Sequence, residues 1–553
     1  MHTSGRMLRL AALGCLLTGF SVGNVQAEDQ PGAIDELKNR IEALEKQNER
    51  LLKILETRQG GGETAPGELF PVTKEEAEPD AVRKIVSDYL KEEDKKKKHE
   101  EEQKKKQAED EGVEVGKDLT MKARWDNGLW VETADKAFRV HVGGRTQFDV
   151  IWGRAPNDVE FGVGGIGRLS DATNFRRGRL EMDGWIYEVI DFFCEYDFFQ
   201  AVNDDPTLPA TENNVIDPVA PTDLWASINF IPKIGTVRIG NMKPGISLEH
   251  LTSSRYLDFI ERSINFDPYF NRNNGFQPGI QILNWTENER MTWQVGVFKN
   301  NNGLFGWNQG DGEYQVNARA TWLPWYEHNG RCMMHLGLGV QHDEPDQSNA
   351  ILRQRWGLRN GPATLQNTVA LASLFGNEQT IIVPEFFMNI GPLSVQAEYF
   401  YNHMAEVRAF QTQPQGRVIP PGPTRSFTSH GYYVQALYFL TGEHRPYGRT
   451  GLHASGAAPT RVVPISNFFW TPGAFCAGAW QVGARYAYSD LSNNGIFGGE
   501  VHEGTLGVNW FLNPNMKIQW NYVLGYRGDL GPTTGIPSNG TYQGFGTRLA
   551  FDW

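Results

Sequence analysis

The chain has 553 residues and a formal net charge of −13 at pH 7, and 12% of its residues are aromatic. Its four cysteines are too few and too widely spaced for a disulfide framework or a zinc site. Beyond the N-terminal segment no apolar stretch is long enough for a membrane-spanning helix, which excludes helical membrane proteins. Two classes stay compatible with this composition: a large soluble β-protein, or a β-barrel whose strands escape hydropathy scans because alternate residues are polar.

The N-terminus carries the pattern of an export signal. Arg6 and Arg9 precede an apolar run from Leu10 to Phe20, and Ala27 supplies a small residue for cleavage. The run is too short to cross about 30 Å of hydrocarbon as a membrane anchor. We therefore predict that residues 1–27 are a signal peptide and that the mature protein is exported.

Two leader regions follow the signal. Residues 28–58 are predicted to form a short coiled coil, because apolar positions repeat with spacings of three and four around one register-fixing asparagine. A single amphipathic helix on a globular surface is the alternative. Residues 59–120 are predicted to be a charged periplasmic linker, in which glutamates interleave with the lysines and argue against a nucleic-acid partner. The repeating positions of the predicted coiled coil, including its asparagine, are Ile34, Leu37, Ile41, Leu44, Asn48, Leu51 and Leu55.

The remaining chain, residues 121–553, shows strands with two-residue alternation. In the last segment Phe545, Leu549 and Phe551 fall on one face and Arg548 falls on the other, which suits a strand between lipid and water. Turning such a strand over would place an arginine in lipid, at a cost of about 2–4 kcal/mol near the midplane. A soluble β-protein explains any one strand equally well, but the recurrence of the pattern favours a transmembrane barrel.

We predict sixteen such strands and hence an all-β fold, a sixteen-stranded antiparallel transmembrane β-barrel behind an N-terminal α-helical coiled-coil and charged leader. Long and short connections alternate, as expected when periplasmic turns are tight and external loops are not. One connection breaks the rule, because Thr441–Gly478 is long yet falls on the side of the turns. Either the strands are miscounted there, or the segment folds against the barrel. The predicted strands start near residues 137, 175, 190, 222, 235, 279, 291, 314, 332, 380, 392, 429, 479, 501, 515 and 541.

Several segments of this region resemble the phosphate-selective porins of the O and P type. Their order and spacing together are more specific than any one of them. The resemblance implies a sixteen-stranded trimeric channel with an inserted third loop and an arginine-lined lumen, and it does not cover residues 1–120. The matching segments are Asn174–Glu181, Phe193–Phe198, Gly391–Tyr399, Tyr438–Tyr447, Gly478–Trp480 with Ala484–Tyr486, and Gly507–Pro514.

The third loop connects the fifth and sixth strands, and the spacing of its apolar residues predicts a short helix with one packed side. The family pattern implies that polar residues of this loop line a constriction opposite two adjacent arginines of the second strand. His250 stands where that pattern has a lysine, which weakens the case for phosphate. For any one residue, an ordinary solvated loop side chain is the alternative. The predicted pore-lining and anion-binding residues are Arg176, Arg177, Arg179, Ser253, Ser254, Arg262, Arg319 and Arg485.

The sequence leaves ion selectivity open. After Arg124 the chain has 26 arginines and only five lysines, and the planar guanidinium group suits phosphate oxygens. Acidic side chains of the same strands also point inward, and a ring of acids would favour cations. The inward-pointing acids are Asp149, Glu181, Asp183, Asp191, Glu195, Asp197 and Glu398.

These features predict a passive diffusion channel for small hydrophilic solutes, with phosphate or other anions as the leading choice. We expect a homotrimer in contact with outer-membrane lipid, with its leader in the periplasm and without cofactor, metal or nucleic acid. An envelope-spacing protein is one alternative, in which the barrel is an anchor and the leader a strut towards the cell wall. An outer-membrane hydrolase is the other, and it would need Ser253, His250 and a carboxylate grouped at the rim.

Overall fold

The computed structural model describes residues 119–169, 171–198, 220–270, 275–299, 314–344, 349–358, 368–409, 424–450, 456–531 and 535–553. The predicted signal peptide, the coiled coil and nearly all of the charged linker lie outside the described residues. Within these ranges, no helix combines the length and the apolar character needed to cross a bilayer.

Sixteen of the described strands form one closed barrel, in which every neighbouring pair is antiparallel. The last strand pairs with the first, with Arg548 opposite Asp149, so the sheet has no free edge. The strands are β1 (Phe138–Arg154), β2 (Ala172–Ile186), β3 (Ile190–Asp197), β4 (Ala220–Ile231), β5 (Gly235–Met242), β6 (Gln277–Trp285), β7 (Met291–Lys299), β8 (Tyr314–Glu327), β9 (Cys332–Asp343), β10 (Glu378–Ile390), β11 (Leu393–Ala409), β12 (Arg425–Phe439), β13 (Ala479–Asn493), β14 (Ile496–Asn513), β15 (Met516–Gly528) and β16 (Gly540–Asp552).

The predicted all-β, sixteen-stranded antiparallel barrel is confirmed, and the sixteen predicted strand starts agree with the structure within a few residues. The coiled-coil part of the predicted fold lies outside the described residues and stays a prediction. The largest difference is at β14, which begins at Ile496 and not near residue 501. Strands β13 and β14 are joined by only two residues on the side of the long loops, and this tight turn extends both strands. On the opposite side, the predicted short turn at Gly391–Pro392 is confirmed. There Gly391 has φ +58°, a conformation that glycine adopts without a steric penalty.

Burial follows the two-residue alternation along the barrel wall. In β14, Leu506 is 61% exposed on the outer face, whereas Glu503 is only 1% exposed on the inner face. In β16, Phe545, Leu549 and Phe551 are exposed and Arg548 is fully buried, as the sequence predicts. The outer face of the barrel is therefore apolar and the polar side chains face the lumen, which is the pattern of a strand between lipid and water.

The third loop, residues 243–276, connects β5 and β6, and its described residues 243–270 and 275–276 fold into the lumen. It contains two short helices, α2 (Leu248–Leu251) and α3 (Phe266–Phe270), which follow α1 (Asn157–Phe161) of the first loop. The predicted helix is thus present but lasts a single turn. Glu398 of β11 holds its start by accepting hydrogen bonds from the Leu248 and Glu249 backbone N–H groups, at 2.8 and 2.9 Å.

The long connection on the turn side comprises residues 440–478 between β12 and β13, and its described residues 440–450 and 456–478 also enter the barrel. We call it the periplasmic insertion. Its Tyr447 packs with Leu251 of the third loop and Phe387 of β10 in one buried cluster, and its Arg445 pairs with Asp258 at 2.6 Å. The strands are therefore not miscounted there, and of the two open explanations the second is correct.

Two hairpins outside the sixteen strands were not predicted. The lumen hairpin, Asn349–Arg355 with Thr368–Phe375, extends from the connection between β9 and β10 and pairs with the end of β11. The N-terminal hairpin, Met121–Trp125 with Leu129–Thr133, pairs with the start of β1 at the edge that carries the turns. Two smaller hairpins lie in the periplasmic insertion, Tyr447–Gly448 with Ala458–Pro459 and Phe469–Thr471 with Ala474–Cys476.

Candidate pore site

A polar cavity lies in the lumen between the wall of β1–β5, the third loop and the periplasmic insertion, and contains about 1060 Å³ of atom-free space, part of it open to solvent. We call it the arginine cavity. Among the described residues, eight basic and two acidic side chains line it. The basic side chains are Arg145, Arg176, Arg177, Arg179, Arg238, Lys243, Arg255 and Arg262, and the acidic ones are Glu195 and Asp223.

Six of the eight predicted site residues line this one cavity: Arg176, Arg177, Arg179, Ser253, Ser254 and Arg262. The two serines of the third loop reach the wall, because Arg145 Nη1 donates to Ser253 Oγ at 3.1 Å and to Ser254 Oγ at 2.9 Å. The predicted approach of the third loop to the basic side chains of the first strands is thus present. Whether these residues bind a solute stays a prediction.

Buried carboxylates fix the wall arginines in place. Arg179 Nε donates to Asp197 at 2.8 Å, and its Nη1 donates to Glu195 Oε1 at 2.9 Å. Arg145 pairs with the other oxygen of the same Glu195 carboxylate. The inward-pointing acids are therefore interleaved with the arginines, and each arginine keeps a defined orientation because its charge-assisted hydrogen bonds are directional.

A second carboxylate, Glu261 of the third loop, performs the same role for the adjacent arginines of β2. Arg176 Nε donates to Glu261 at 2.9 Å, whereas the contacts of Arg177 with the same group are longer, at 3.5 Å. Arg262 is held by main-chain oxygens, donating to Glu249 O at 2.8 Å and to Thr252 O at 2.6 Å.

Mutual repulsion and burial act on two of the cations that the third loop contributes, Lys243 and Arg262. Burial and the neighbouring Arg262 guanidinium lower the pKa of the Lys243 ammonium well below its usual value. Burial also lowers the pKa of Arg262 to about 10, although Glu249 and Glu261 act in the opposite direction. A solute with negative charge would relieve this repulsion.

His250, predicted to replace a pore-lining lysine, does not line the arginine cavity. Its ring is 2% exposed and stacks on Phe266, with 5.6 Å between ring centroids. Burial lowers the pKa of His250 well below its usual value, so the ring is neutral at ordinary pH. Lys243 supplies the positive charge instead, and its ammonium donates to the His250 carbonyl oxygen at 2.9 Å.

Arg319 and Arg485 lie elsewhere in the lumen. Arg319 forms a fully buried bidentate pair with Glu385, with both N–O distances at 2.8 Å. Arg485 donates to the Glu261 carbonyl oxygen at 3.0 Å, on the opposite side of the third loop. The alternation correctly turns both side chains inward, but neither of them lines the arginine cavity.

Four basic residues of the cavity were missed as site residues: Arg145, Arg238, Lys243 and Arg255. The two-residue alternation places Arg145 on the inner face of β1 and Arg238 on the inner face of β5, so both could have been identified from the sequence as inward-facing. Lys243 and Arg255 lie in the third loop, where no period applies. Only the folded loop brings them to the wall.

Two other side-chain groups bear on the hydrolase alternative and on metal binding. Ser253 Oγ accepts a hydrogen bond from Arg145, and neither ring nitrogen of His250 has a partner within the described ranges, so the two do not form a nucleophile–base pair. Ligand atoms of His141, Glu181 and Asp183 lie within 4.8 Å of one another. His141 Nδ1 forms a hydrogen bond with Asp183 at 2.7 Å, and Glu181 pairs with Arg255 at 2.5 Å.

Comparison with known proteins identifies the family. Residues 140–553 match the family model described as phosphate-selective porin O and P. Porin O of Pseudomonas aeruginosa is 24% identical over 463 residues, which are 79% of this chain and 93% of that protein. Among solved structures, an anion-selective porin from Comamonas acidovorans is 10% identical, covers 75% of this chain and 99% of its own, and has a TM-score of 0.42. OmpT of Vibrio cholerae is also 10% identical, covers 75% of this chain and 98% of its own, and has a TM-score of 0.40.

The family match spans well over half of the chain and includes all sixteen barrel strands except the first two residues of β1. The predicted family and the predicted porin function are confirmed. The chain belongs to the family of phosphate-selective porins O and P, and is thus an outer-membrane porin, a diffusion channel rather than an enzyme.

Proposed function

We propose that this porin favours anions, with phosphate-like oxyanions as preferred solutes, and that the arginine cavity is its selectivity site. The observation that carries the proposal is the excess of six positive charges on the described lining of this cavity. Guanidinium groups and the hydroxyls of Ser253 and Ser254 offer several N–H and O–H donors to phosphate oxygens. Solute moves down its concentration gradient, so neither a nucleotide nor a redox cofactor takes part.

The acids of the lumen support weak binding. Glu195 and Glu261 pair with arginines of the cavity, so an arriving anion competes with a resident carboxylate for the same donors. Such competition lowers affinity without removing the positive potential. A channel requires this balance, because a site must attract an ion and still release it. We therefore interpret these acids as partners of the arginines and not as a cation filter.

Single-channel recording in planar bilayers under a salt gradient tests the proposal. We expect the wild-type reversal potential to report anion preference, and Arg177→Ala and Arg262→Ala each to weaken that preference. Losing one charge at about 4 Å removes about 1 kcal/mol of attraction in a water-like medium, which is about a fivefold change in the permeability ratio. Lys233→Ala is the matched control, because it removes one positive charge from an exposed turn outside the cavity. Unchanged selectivity in both arginine variants would contradict the assignment.

Anion preference is also expected to depend on pH through Lys243. Because the pKa of this ammonium is lowered, it loses its proton at a lower pH than free lysine, and the cavity then loses one positive charge. Preference for anions should therefore fall as the pH rises from about 7 towards 9, which lies below the pKa of about 10 of Arg262 in the same cavity. Reversal potentials over this range measure the effect, and Lys243→Arg should flatten the curve. The same pH dependence in that variant would assign the change to another group.

We further propose that the porin is a homotrimer in outer-membrane lipid and that its leader extends into the periplasm towards the cell wall. The exposed apolar face of the barrel supports the contact with lipid. The placement of the leader is supported by the N-terminal hairpin, which pairs with β1 at the barrel edge that carries the turns. In this proposal residues 1–27 are the signal peptide, 28–58 the coiled coil, 59–120 the linker, and the barrel region begins at residue 121.

A further inference from the structure

A second cavity, the outer cavity, lies on the other side of the third loop. It is formed by the extracellular ends of β6, β8, β9 and β10 and by the lumen hairpin, and contains about 890 Å³ of atom-free space, part of it open to solvent. Adjacent residues of the third loop face the two cavities: Lys243 and Phe266 line the arginine cavity, whereas Pro244 and Asp267 line the outer cavity. A solute entering from outside therefore has two chemically different chambers available.

The charge of the outer cavity is balanced. Among the described residues, two arginines and two aspartates line it, Arg353 and Arg355 with Asp267 and Asp343. Arg355 and Asp267 form a bidentate pair, with N–O distances of 3.0 and 3.1 Å. This lining lacks the positive excess of the arginine cavity, so the outer cavity has no electrostatic reason to concentrate anions.

Four amide side chains line the outer cavity beside these four charged groups. One glutamine from each of the four strands points into the outer cavity, namely Gln277, Gln315, Gln341 and Gln379. Within the described residues, Gln277 Oε1 is a buried acceptor without a donor, and Gln315 Nε2 is a buried donor without an acceptor. Buried polar atoms are usually hydrogen-bonded, so these two atoms point to a partner that enters the cavity from solvent.

His250 adds one more donor and one more acceptor. Its ring lines the outer cavity, and both ring nitrogens are buried without a partner in the described part of the chain. A neutral imidazole has one N–H and one lone-pair nitrogen. The aromatic rings of Tyr269 and Phe270 line the same cavity.

A ligand that satisfies this set must donate and accept hydrogen bonds at several points and carry no net charge. Hydroxyl groups do both, and a molecule with several hydroxyls on a carbon skeleton also presents C–H faces to aromatic rings. We propose that the outer cavity is a binding site for neutral polyhydroxylated solutes, that is, sugars and polyols. The site goes beyond the proposed anion preference and does not depend on it.

Titration of the open-channel current with maltose tests this proposal in planar bilayers holding the full-length porin. We expect maltose added on the extracellular side to reduce the current saturably. The double variant Gln277→Met/Gln315→Met should weaken this block by about fivefold per lost amide, the change expected for one hydrogen bond. Gln294→Met is the matched control, because Gln294 is a buried wall glutamine that does not line the outer cavity. Inorganic phosphate, titrated separately, should act equally on the wild type and the double variant.

Three outcomes would overturn the proposal: absence of a saturable maltose effect on the wild type, an unchanged maltose effect in the double variant, or a parallel loss of phosphate and maltose effects. The third would mean that the outer cavity belongs to the anion path. If the double variant does not assemble, His250→Phe provides the same test. It removes both ring nitrogens and keeps an aromatic ring beside Phe266 and Phe270.

Discussion

Replacing Arg548 with leucine is expected to destabilise the barrel by about 3–5 kcal/mol, the usual cost of removing one partner from a buried ion pair. Arg548 is fully buried on β16, and its guanidinium donates two hydrogen bonds of 2.6 Å to Asp149 on β1. It also donates to Glu261 of the third loop at 2.9 Å. One side chain thus joins the first strand to the last and fixes the third loop to that seam.

The free energy of unfolding can be measured by urea titration in lipid vesicles, followed by tryptophan fluorescence. The informative control is the double variant Arg548→Leu/Asp149→Leu, which removes both charges of the pair. Replacing both partners of a buried ion pair with apolar residues destabilises a protein far less than removing one partner, which leaves an unpaired buried charge. The double variant should therefore recover much of the lost stability. If the double variant is as unstable as the sum of the two single variants, the ion pair is not the cause.

The barrel could be predicted from sequence because lipid and water impose a two-residue period on every strand. The alternation assigns each side chain to a face without knowledge of its neighbours in space: Arg548 and Glu503 face the lumen, and Leu506 is exposed on the outer face. Strand number then follows from counting segments. The same alternation is enough to assign Arg319 and Arg485 to the inner face, where both side chains are buried.

The two-residue alternation shows that a side chain points inward, but it does not show which residue that side chain contacts. Arg179 and Arg319 obey the same alternation, yet Arg179 lines the arginine cavity and Arg319 is occupied by Glu385 and by the Ala457 carbonyl oxygen of the periplasmic insertion. Those partners are 66 and 138 residues away along the chain. Contacts between residues so far apart in the sequence depend on how the third loop and the periplasmic insertion fill the lumen. The spacing of residues within one segment does not encode that arrangement.

The lumen hairpin was missed for a related reason. Its strands, Asn349–Arg355 and Thr368–Phe375, do not cross the membrane, so they need not alternate between lipid and water. They share the largest hydrophobic cluster of the described residues with the third loop, and Leu352, Ile264 and Phe270 all belong to it. Which residues form such a buried surface depends on the segment that packs against it, here the third loop. The sequence pattern does not predict where that loop lies in the lumen.

Loosening the periplasmic insertion is expected to enlarge the channel several-fold in conductance. The insertion supplies Ala458 and Thr460 to the wall of the arginine cavity, and Tyr447 anchors it by a 2.7 Å hydrogen bond with His335 Nδ1 and by stacking on Phe387. Tyr447→Ala should remove about 3–5 kcal/mol of docking free energy, as for other large aromatic truncations. A loss of this size shifts a two-state docking equilibrium by at least about a hundredfold.

Single-channel conductance and its fluctuations measure this effect directly, with Trp470→Ala as the matched control. Trp470 belongs to the same insertion but is 77% exposed, so its truncation should change neither conductance nor selectivity. Tyr447→Ala should also weaken anion preference, because an undocked insertion leaves a wider, wetter lumen in which the arginines act at longer range and are better screened. A Tyr447→Ala channel with wild-type conductance would mean that β1–β5 and the third loop alone set the constriction, and that the insertion only fills space behind it.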